Sequence, residues 1–283
     1  MTDPAAPSRV QSAVGLLRAC HFQPTLAVTA FTTALAAFAG RGALGCVGVA
    51  AAVLAGQCST GWSNDWLDAE RDRTVNRVDK PIVAGLVSVT TVRACAISAL
   101  ILTVPLSLLS GWRATLVHLV AIAAAWSYNA GLKATIISPL PYGISFALLP
   151  AFVTLGLPLH PWPRPGIMIV TALLGIGAHF INTLADRSDD EHTGIRGLPQ
   201  RLPATLTLVV GVACLALSAC VIRLLSDRLR ILEDLVLAVS LGCDAAVIIA
   251  ICIKRPRAAW TWTLIATGSC VALFAVTRPS LVA

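Results

Sequence analysis

Long apolar runs recur along this chain and leave little room between them for anything but short connections. Their approximate limits are Phe22 to Ala39, Ala43 to Trp62, Ser88 to Leu109, Trp112 to Ala130, Ile137 to Leu157, Gly166 to Leu184, Ala204 to Leu224, Leu232 to Cys252 and Trp260 to Thr277. A helix of about 17–25 apolar residues crosses a bilayer core, because in lipid each backbone polar group must find its partner inside its own segment. The pattern predicts an all-α, polytopic membrane protein of about nine transmembrane helices. Only 12% of the residues are charged, where a soluble domain carries about 25%. The first run is too long and too closely followed by others to be a cleavable signal peptide. Residues 1–12, with Pro4, Pro7 and Ser8, are expected as a short disordered tail, and residues 13–283 as one transmembrane domain.

Two segments interrupt this apolar background with the same arrangement. Asn64-Asp65-Trp66-Leu67-Asp68-Ala69-Glu70-Arg71-Asp72 and Asn182-Thr183-Leu184-Ala185-Asp186-Arg187-Ser188-Asp189-Asp190 both read Asn-x3-Asp-x3-Asp. With Asp79 and Glu191, these neighbourhoods hold nine of the fourteen acidic residues. They fall in the two long polar connections, about 63–87 and 185–203, and residues four and eight apart share one helical stripe. Each segment can therefore aim an amide oxygen and two carboxylates at one point. Carboxylates at membrane depth are costly unless paired or bound to a cation, and Mg²⁺ bridges one or two carboxylates to phosphates. The pair of stripes suggests a diphosphate clamp, against the alternatives of an ion path or structural salt bridges. Motif positions 64 and 182 lie 118 residues apart, each closing an even-numbered span, which points to two parallel halves of about four helices.

The formal charge of +7 raises nucleic acid as a partner, but the basic residues are scattered over span ends instead of forming one stripe. No nucleic-acid partner is expected. With a cytoplasmic amino terminus, thirteen Lys and Arg fall inside and seven outside, Arg93 being left within a span, so the positive-inside rule puts both acidic motifs on the cytoplasmic side of the cell (inner) membrane. The nine cysteines show no Cys-x-x-Cys pair and read as small buried hydrophobes. His21, His118, His160, His179 and His192 form no metal-ligand pair and read as helix-end or packing residues, although His179, one turn before Asn182, could face a cavity.

Asn64-Asp65-x-x-Asp68-x-x-x-Asp72, followed by Asn76-Arg77-Val78-Asp79-Lys80-Pro81, resembles the first signature of the UbiA superfamily of intramembrane prenyltransferases. Asp186-x-x-x-Asp190, followed by Thr193-Gly194-Ile195-Arg196-Gly197, resembles its second. Val78 stands where many members have proline. The resemblance implies a helical bundle around a central cavity open sideways to lipid, with Mg²⁺ as cofactor and an isoprenyl diphosphate as donor. It implies Asn64, Asp68 and Asp72 as ligands of one metal and Asp186 and Asp190 of the other, with Asn182 assisting. Arg77 and Arg196, in the trailing elements, and Tyr128 and Lys133, which close the fourth span, are implied at the substrate, Lys133 beside the departing diphosphate. The expected reaction is transfer of an isoprenyl group to an aromatic, quinone-precursor or lipid acceptor within the membrane. Phosphoribosyl transfer to a polyprenyl phosphate would need the same clamp. A cation-coupled transporter is the reading from another class, but there acids lie near the bilayer midplane.

The charge asymmetry fixes an expected orientation. Cysteine labelling at Arg73 and Arg196 is expected only from the cytoplasmic side; labelling of both from outside intact cells would reverse the topology.

Overall fold

The structure is a computed structural model that describes residues 8–225, 231–277 and 280–282. Residues 1–7 of the expected tail, and Arg228, Arg230 and Arg278 of the outer basic set, lie outside the described residues. In chain order the helices are α1 (Arg9–Ala19), α2 (Phe22–Phe38), α3 (Ala43–Thr74), α4 (Val89–Leu108), α5 (Trp112–Asn129) and α6 (Pro139–Thr154). They continue with α7 (Pro165–His192), α8 (Leu198–Arg201), α9 (Ala204–Leu224), α10 (Ile231–Cys252) and α11 (Pro256–Thr277). A single 3-10 turn, Leu132–Ala134, links α5 to α6. No strand occurs among the described residues beyond one isolated bridge, Pro163 with Val282.

Each expected apolar run has its helix. Six of these, α3, α4, α7, α9, α10 and α11, are long and apolar enough to cross a membrane, while α2 and α6 are shorter apolar helices. Successive helices pack side by side, and α11 returns against α2 and α7 to close a ring. The main core lies inside it, built from residues such as Phe31, Leu35, Phe152, Ile167, Leu174, Leu215 and Phe274. Outward faces stay apolar, as with Ile101, Leu102 and Leu108 on α4, which suits a lipid surround.

Two expectations are corrected. The tail ends earlier than residue 12, because Ser8 and Gln11 form a reciprocal capping box that starts α1 at Arg9 and satisfies two orphan donors. The motifs lie on helices rather than in loops: α3 and α7 continue through them to Thr74 and His192. Both helices then stop in the same way. Asn76 and Gly194 take left-handed backbone, with φ of 52° and 76°, and the next amides, Arg77 N and Ile195 N, donate to the carbonyls of Asp72 (2.9 Å) and Asp190 (2.8 Å). This is the Schellman stop, twelve residues beyond each motif asparagine. The internal duplication thus extends past the acids to the way each helix ends.

α1 holds the segment after α3 in place. The Trp62 indole donates to the Leu16 carbonyl at 2.9 Å, Arg18 Nη2 donates to the Asp79 carbonyl at 2.9 Å, and Ala19 joins Ala69, Ile82, Val87 and Val92 in a small core. Gly61 permits α3 to pass directly against the α1–α2 corner, where a Cβ would collide with the Cys20 carbonyl oxygen. Gly61→Ala should cost about 1–3 kcal/mol, since backbone cannot yield as a side chain does; a lowered thermal midpoint in detergent is the expected result, and an unchanged one would show that the corner is free to shift.

Candidate active site

A cavity of about 570 Å³ opens between α2, α3, α5, α6, α7 and α11. Helical periodicity selects its wall. α3 contributes Gln57, Thr60, Gly61, Asn64, Asp68 and Arg71, and α7 contributes Leu174, Ala178, Asn182, Asp186 and Asp190, spacings of three and four that keep one face inward. The two motifs therefore meet across one space. Below them the wall turns apolar, with Val28, Phe31, Phe146 and Leu264.

Of the residues singled out from the sequence, Asn64, Asp68, Arg77, Tyr128, Lys133, Asn182, Asp186 and Asp190 line the cavity, whereas Asp72 and Arg196 do not. The rotation of α3 accounts for Asp72, since Asp190 at the same offset on α7 does line the cavity. At about 100° per residue, the eight-residue step from Asn64 overshoots two turns by about 80°, while the seven-residue step to Arg71 falls only about 20° short. Arg71 therefore takes the wall position, and Asp72, 2% exposed, turns toward Arg71, Lys80 and Arg77. Arg196 is exposed while its neighbour Ile195 takes the cavity side.

The acids sit at the C-terminal ends of two helices, where the backbone already presents partial negative charge, so cations must come from elsewhere. Lys133 forms a close ion pair with Asp68 Oδ1, and Arg71 Nη2 holds Asp68 Oδ2 at 2.9 Å. Lys80 Nζ reaches Asp65 Oδ1 at 2.7 Å. Arg77 bridges the motifs, 3.1 Å from Asp79, 3.2 Å from Asp186 and 3.6 Å from Asp189. Burial works against the Arg77 charge, but Asp79, Asp186 and Asp72 outweigh it and hold the guanidinium protonated well above its ordinary range. Burial likewise disfavours the Asp79 carboxylate, and Arg77 overcomes this to hold it below its usual value. Lys133, 8% exposed, is pushed down by burial despite the pull of Asp68.

Sequence reasoning passed over several of these partners. Lys80 and Arg71 were legible as cations near the motif, and Arg71 also from its seven-residue spacing. Gln200, which donates to Asp190 Oδ2 at 2.8 Å, and Asn129, which accepts from Asn64 Nδ2 at 3.2 Å, carried no local signal. Neither did Tyr142, which lines the cavity and sits edge-on to Tyr128 with ring centroids 5.0 Å apart. His21 reads from sequence as an isolated helix-end residue, yet its Nε2 lies 2.9 Å from Asp65 Oδ1. His179 is a packing residue, 1% exposed and stacked on Tyr142. The cysteines among the described residues are all free thiols.

The donor set suits a hard cation. Asn64 spends an amide hydrogen on Asn129, leaving its oxygen as the donor, and Asp72 Oδ1 is buried without a hydrogen-bond partner. Among the described residues no three His, Cys, Asp or Glu side chains form a metal cluster, because Lys133, Arg71 and Arg77 stand between the carboxylates. Mg²⁺ needs no such cluster, since it takes one or two carboxylates and completes its shell with phosphate and water.

Residues 25–265 match the model of the UbiA prenyltransferase family. A sequence comparison with curated proteins gave no match. Among solved structures, a UbiA homologue from Aeropyrum pernix K1 is similar at 18% identity and a TM-score of 0.70, over 89% of this chain and 97% of that one. A UbiA homologue from Archaeoglobus fulgidus bound to GPP and Mg²⁺ is similar at 17% identity and 0.67, over 93% and 99%. A digeranylgeranylglyceryl phosphate synthase structure gives 15% and 0.64, over 94% and 98%. At these identities the likeness is one of fold.

Arg77 is the cation shared by both motifs, so its loss leaves facing carboxylates unscreened. Arg77→Gln should lower the thermal midpoint in metal-free buffer, with much of the loss recovered on adding Mg²⁺. An equal drop with and without Mg²⁺ would show that the bridge does not stand in for metal charge.

Proposed function

The chain belongs to the UbiA prenyltransferase family, and we propose that it transfers an isoprenyl group from an isoprenyl diphosphate to a hydrophobic acceptor within the membrane. The observation that carries this reading is the cavity itself: two acid-bearing helix ends face each other at one end, cations stand among them, and apolar side chains continue below. An amphipathic donor with a diphosphate head and a hydrocarbon tail matches that division. The GPP and Mg²⁺ bound by the Archaeoglobus homologue, and the DMAPP and Mg²⁺ of a second structure of a UbiA homologue from that organism, support the same donor class. The chain is an integral membrane protein, and the thirteen-to-seven basic asymmetry supports a cytoplasmic site.

Asn64 and Asp68, backed by Asp72, would hold one Mg²⁺, and Asp186 and Asp190 the other, with Asn182 beside them. When bound, Mg²⁺ supplies positive charge to the diphosphate oxygens, which lowers the barrier to breaking the allylic carbon–oxygen bond. The chain's own cations do the rest of the neutralisation. Lys133, Arg71 and Arg77 border the same space and release their carboxylates as phosphate oxygens and metal replace them. Val28, Phe31, Phe146 and Leu174 exclude water, which would otherwise capture the electrophilic prenyl group before the acceptor does. The acids gather at one end of two helices instead of at the midplane of broken helices, which favours an enzyme over a cation-coupled transporter.

Purified protein given Mg²⁺, a panel of prenyl diphosphates and membrane lipid extract should yield a prenylated product by mass spectrometry, and Asp68→Ala or Asp186→Ala should abolish it while leaving the protein folded. With phosphoribosyl diphosphate added as a separate donor, product from it alone would move the donor assignment. In single turnover, Lys133→Ala should slow the chemical step about 10²-fold, as loss of one transition-state charge partner does, with a smaller change in donor affinity; an unchanged step would return Lys133 to an anchoring role.

A further inference from the structure

His21 occupies the corner between α1 and α2 in left-handed backbone, with φ of 54°. Non-glycine residues rarely hold that conformation, and those that do cluster at functional sites. Its ring lines the cavity and meets Asp65 Oδ1 through Nε2 at 2.9 Å. Asp65 is 2% exposed, and Lys80 Nζ holds the same oxygen, Oδ1, at 2.7 Å. A carboxylate held by an ammonium accepts and cannot donate, so Nε2 carries the hydrogen of this contact and Nδ1 is the ring nitrogen left to take up a proton. The His21 side chain keeps 39% of its surface exposed, enough to touch a ligand and to return a proton to water. Asp65 stands three residues before Asp68 on α3, so the imidazole is anchored one helical turn from the diphosphate end.

The neighbouring wall has a matching character. Thr25, Thr60, Thr263 and Thr267 line the cavity, and each donates its hydroxyl hydrogen to a carbonyl of its own helix or corner, at 2.7, 3.0, 3.0 and 2.9 Å. Ser145, also in the wall, donates to the Ala121 carbonyl at 2.8 Å. With their hydrogens committed, these hydroxyls offer only lone pairs. A ligand that donates hydrogen bonds suits the accessible ones, beside the donors Tyr128, Tyr142 and Trp260 of the same cavity.

Building on the transferase reading above, we propose that the acceptor bears an uncharged hydroxyl group and that His21 is the catalytic base that removes its proton, with Asp65 as the positioning residue. In this step the allylic carbon–oxygen bond breaks with its electron pair leaving on the diphosphate. The acceptor oxygen forms the new bond to carbon, and its proton passes to His21 Nδ1 and then to water. Charged groups facing His21 are Arg18 on α1, Asp65 on α3, and Asp79 and Lys80 in the segment between α3 and α4; α6 and α11 place no charged side chain in this wall.

The test uses the full chain in liposomes with Mg²⁺, geranyl diphosphate and two hydroxyl probes, a dialkylglycerol and a long-chain 4-alkylphenol, beside a long-chain primary amine. Asparagine tolerates left-handed backbone, so His21→Asn keeps the corner while removing the base. His21→Asn is expected to lower turnover onto the hydroxyl probe about 10²-fold. The KM for geranyl diphosphate should not change, so the loss falls on kcat. Added imidazole should restore part of the turnover of His21→Ala, which separates lost chemistry from lost folding. Near-wild-type turnover would make the His21–Asp65 pair a structural clamp and overturn the proposal, as would transfer to the amine in preference to both hydroxyls. Wild-type protein that releases no diphosphate from geranyl diphosphate would instead overturn the transferase reading itself.

Discussion

Carboxylates placed at the C-terminal ends of two membrane helices add like charge to a helix terminus that is already negative in surroundings that screen poorly. The rest of the active-site end is arranged around that cost. α1 ties down the segment after α3 by way of Arg18 and Trp62, and that segment returns Arg77 and Lys80 to the acids. The turn after α5 returns Lys133. Apart from Arg71, carried by the polar end of α3 itself, these cations come from connections rather than from the apolar part of a span, where an unpaired charge would be costly. Removing one partner of a buried pair strands the other, so the cluster behaves as one unit.

This electrostatic debt is also what makes the site usable. Under the proposed function, cations that neutralise acids in the free protein would be the groups left to neutralise phosphate, and they are already in place. The two motif helices end in the same left-handed turn at the same offset, and each turn closes over its last acidic residue. Their roles nevertheless differ. On α3 the stripe runs through Asn64, Asp68 and Arg71, while on α7 it runs through Asn182, Asp186 and Asp190, so one wall carries its own cation and the other relies on Arg77 from across the gap.

Much of the fold was legible because lipid imposes a simple rule: apolar runs of sufficient length become helices, and the nine runs have their nine helices among the described residues. Boundaries near the motifs were not. Asp, Arg and Asn read as loop residues, but the intrahelical pairs of Arg71 with Asp68 and Arg73 with Glu70 favour continuing α3, and only Asn76 stops it. His21 and Gln200 were invisible as site residues, because their partners lie 44 and 10 positions away and nothing local marks the contact.

By itself the sequence determined the helical membrane bundle, the repeated Asn-x3-Asp-x3-Asp stripe and the gathering of nine of the fourteen acidic residues around it, since hydrophobic length and helical period are local properties of the chain. Only the tertiary structure decided that Arg71 rather than Asp72 enters the cavity, that Arg77 spans both motifs and that His21 meets Asp65. Those outcomes depend on how α3 is rotated against its neighbours and on where the connecting segments fold back, and long-range packing sets both.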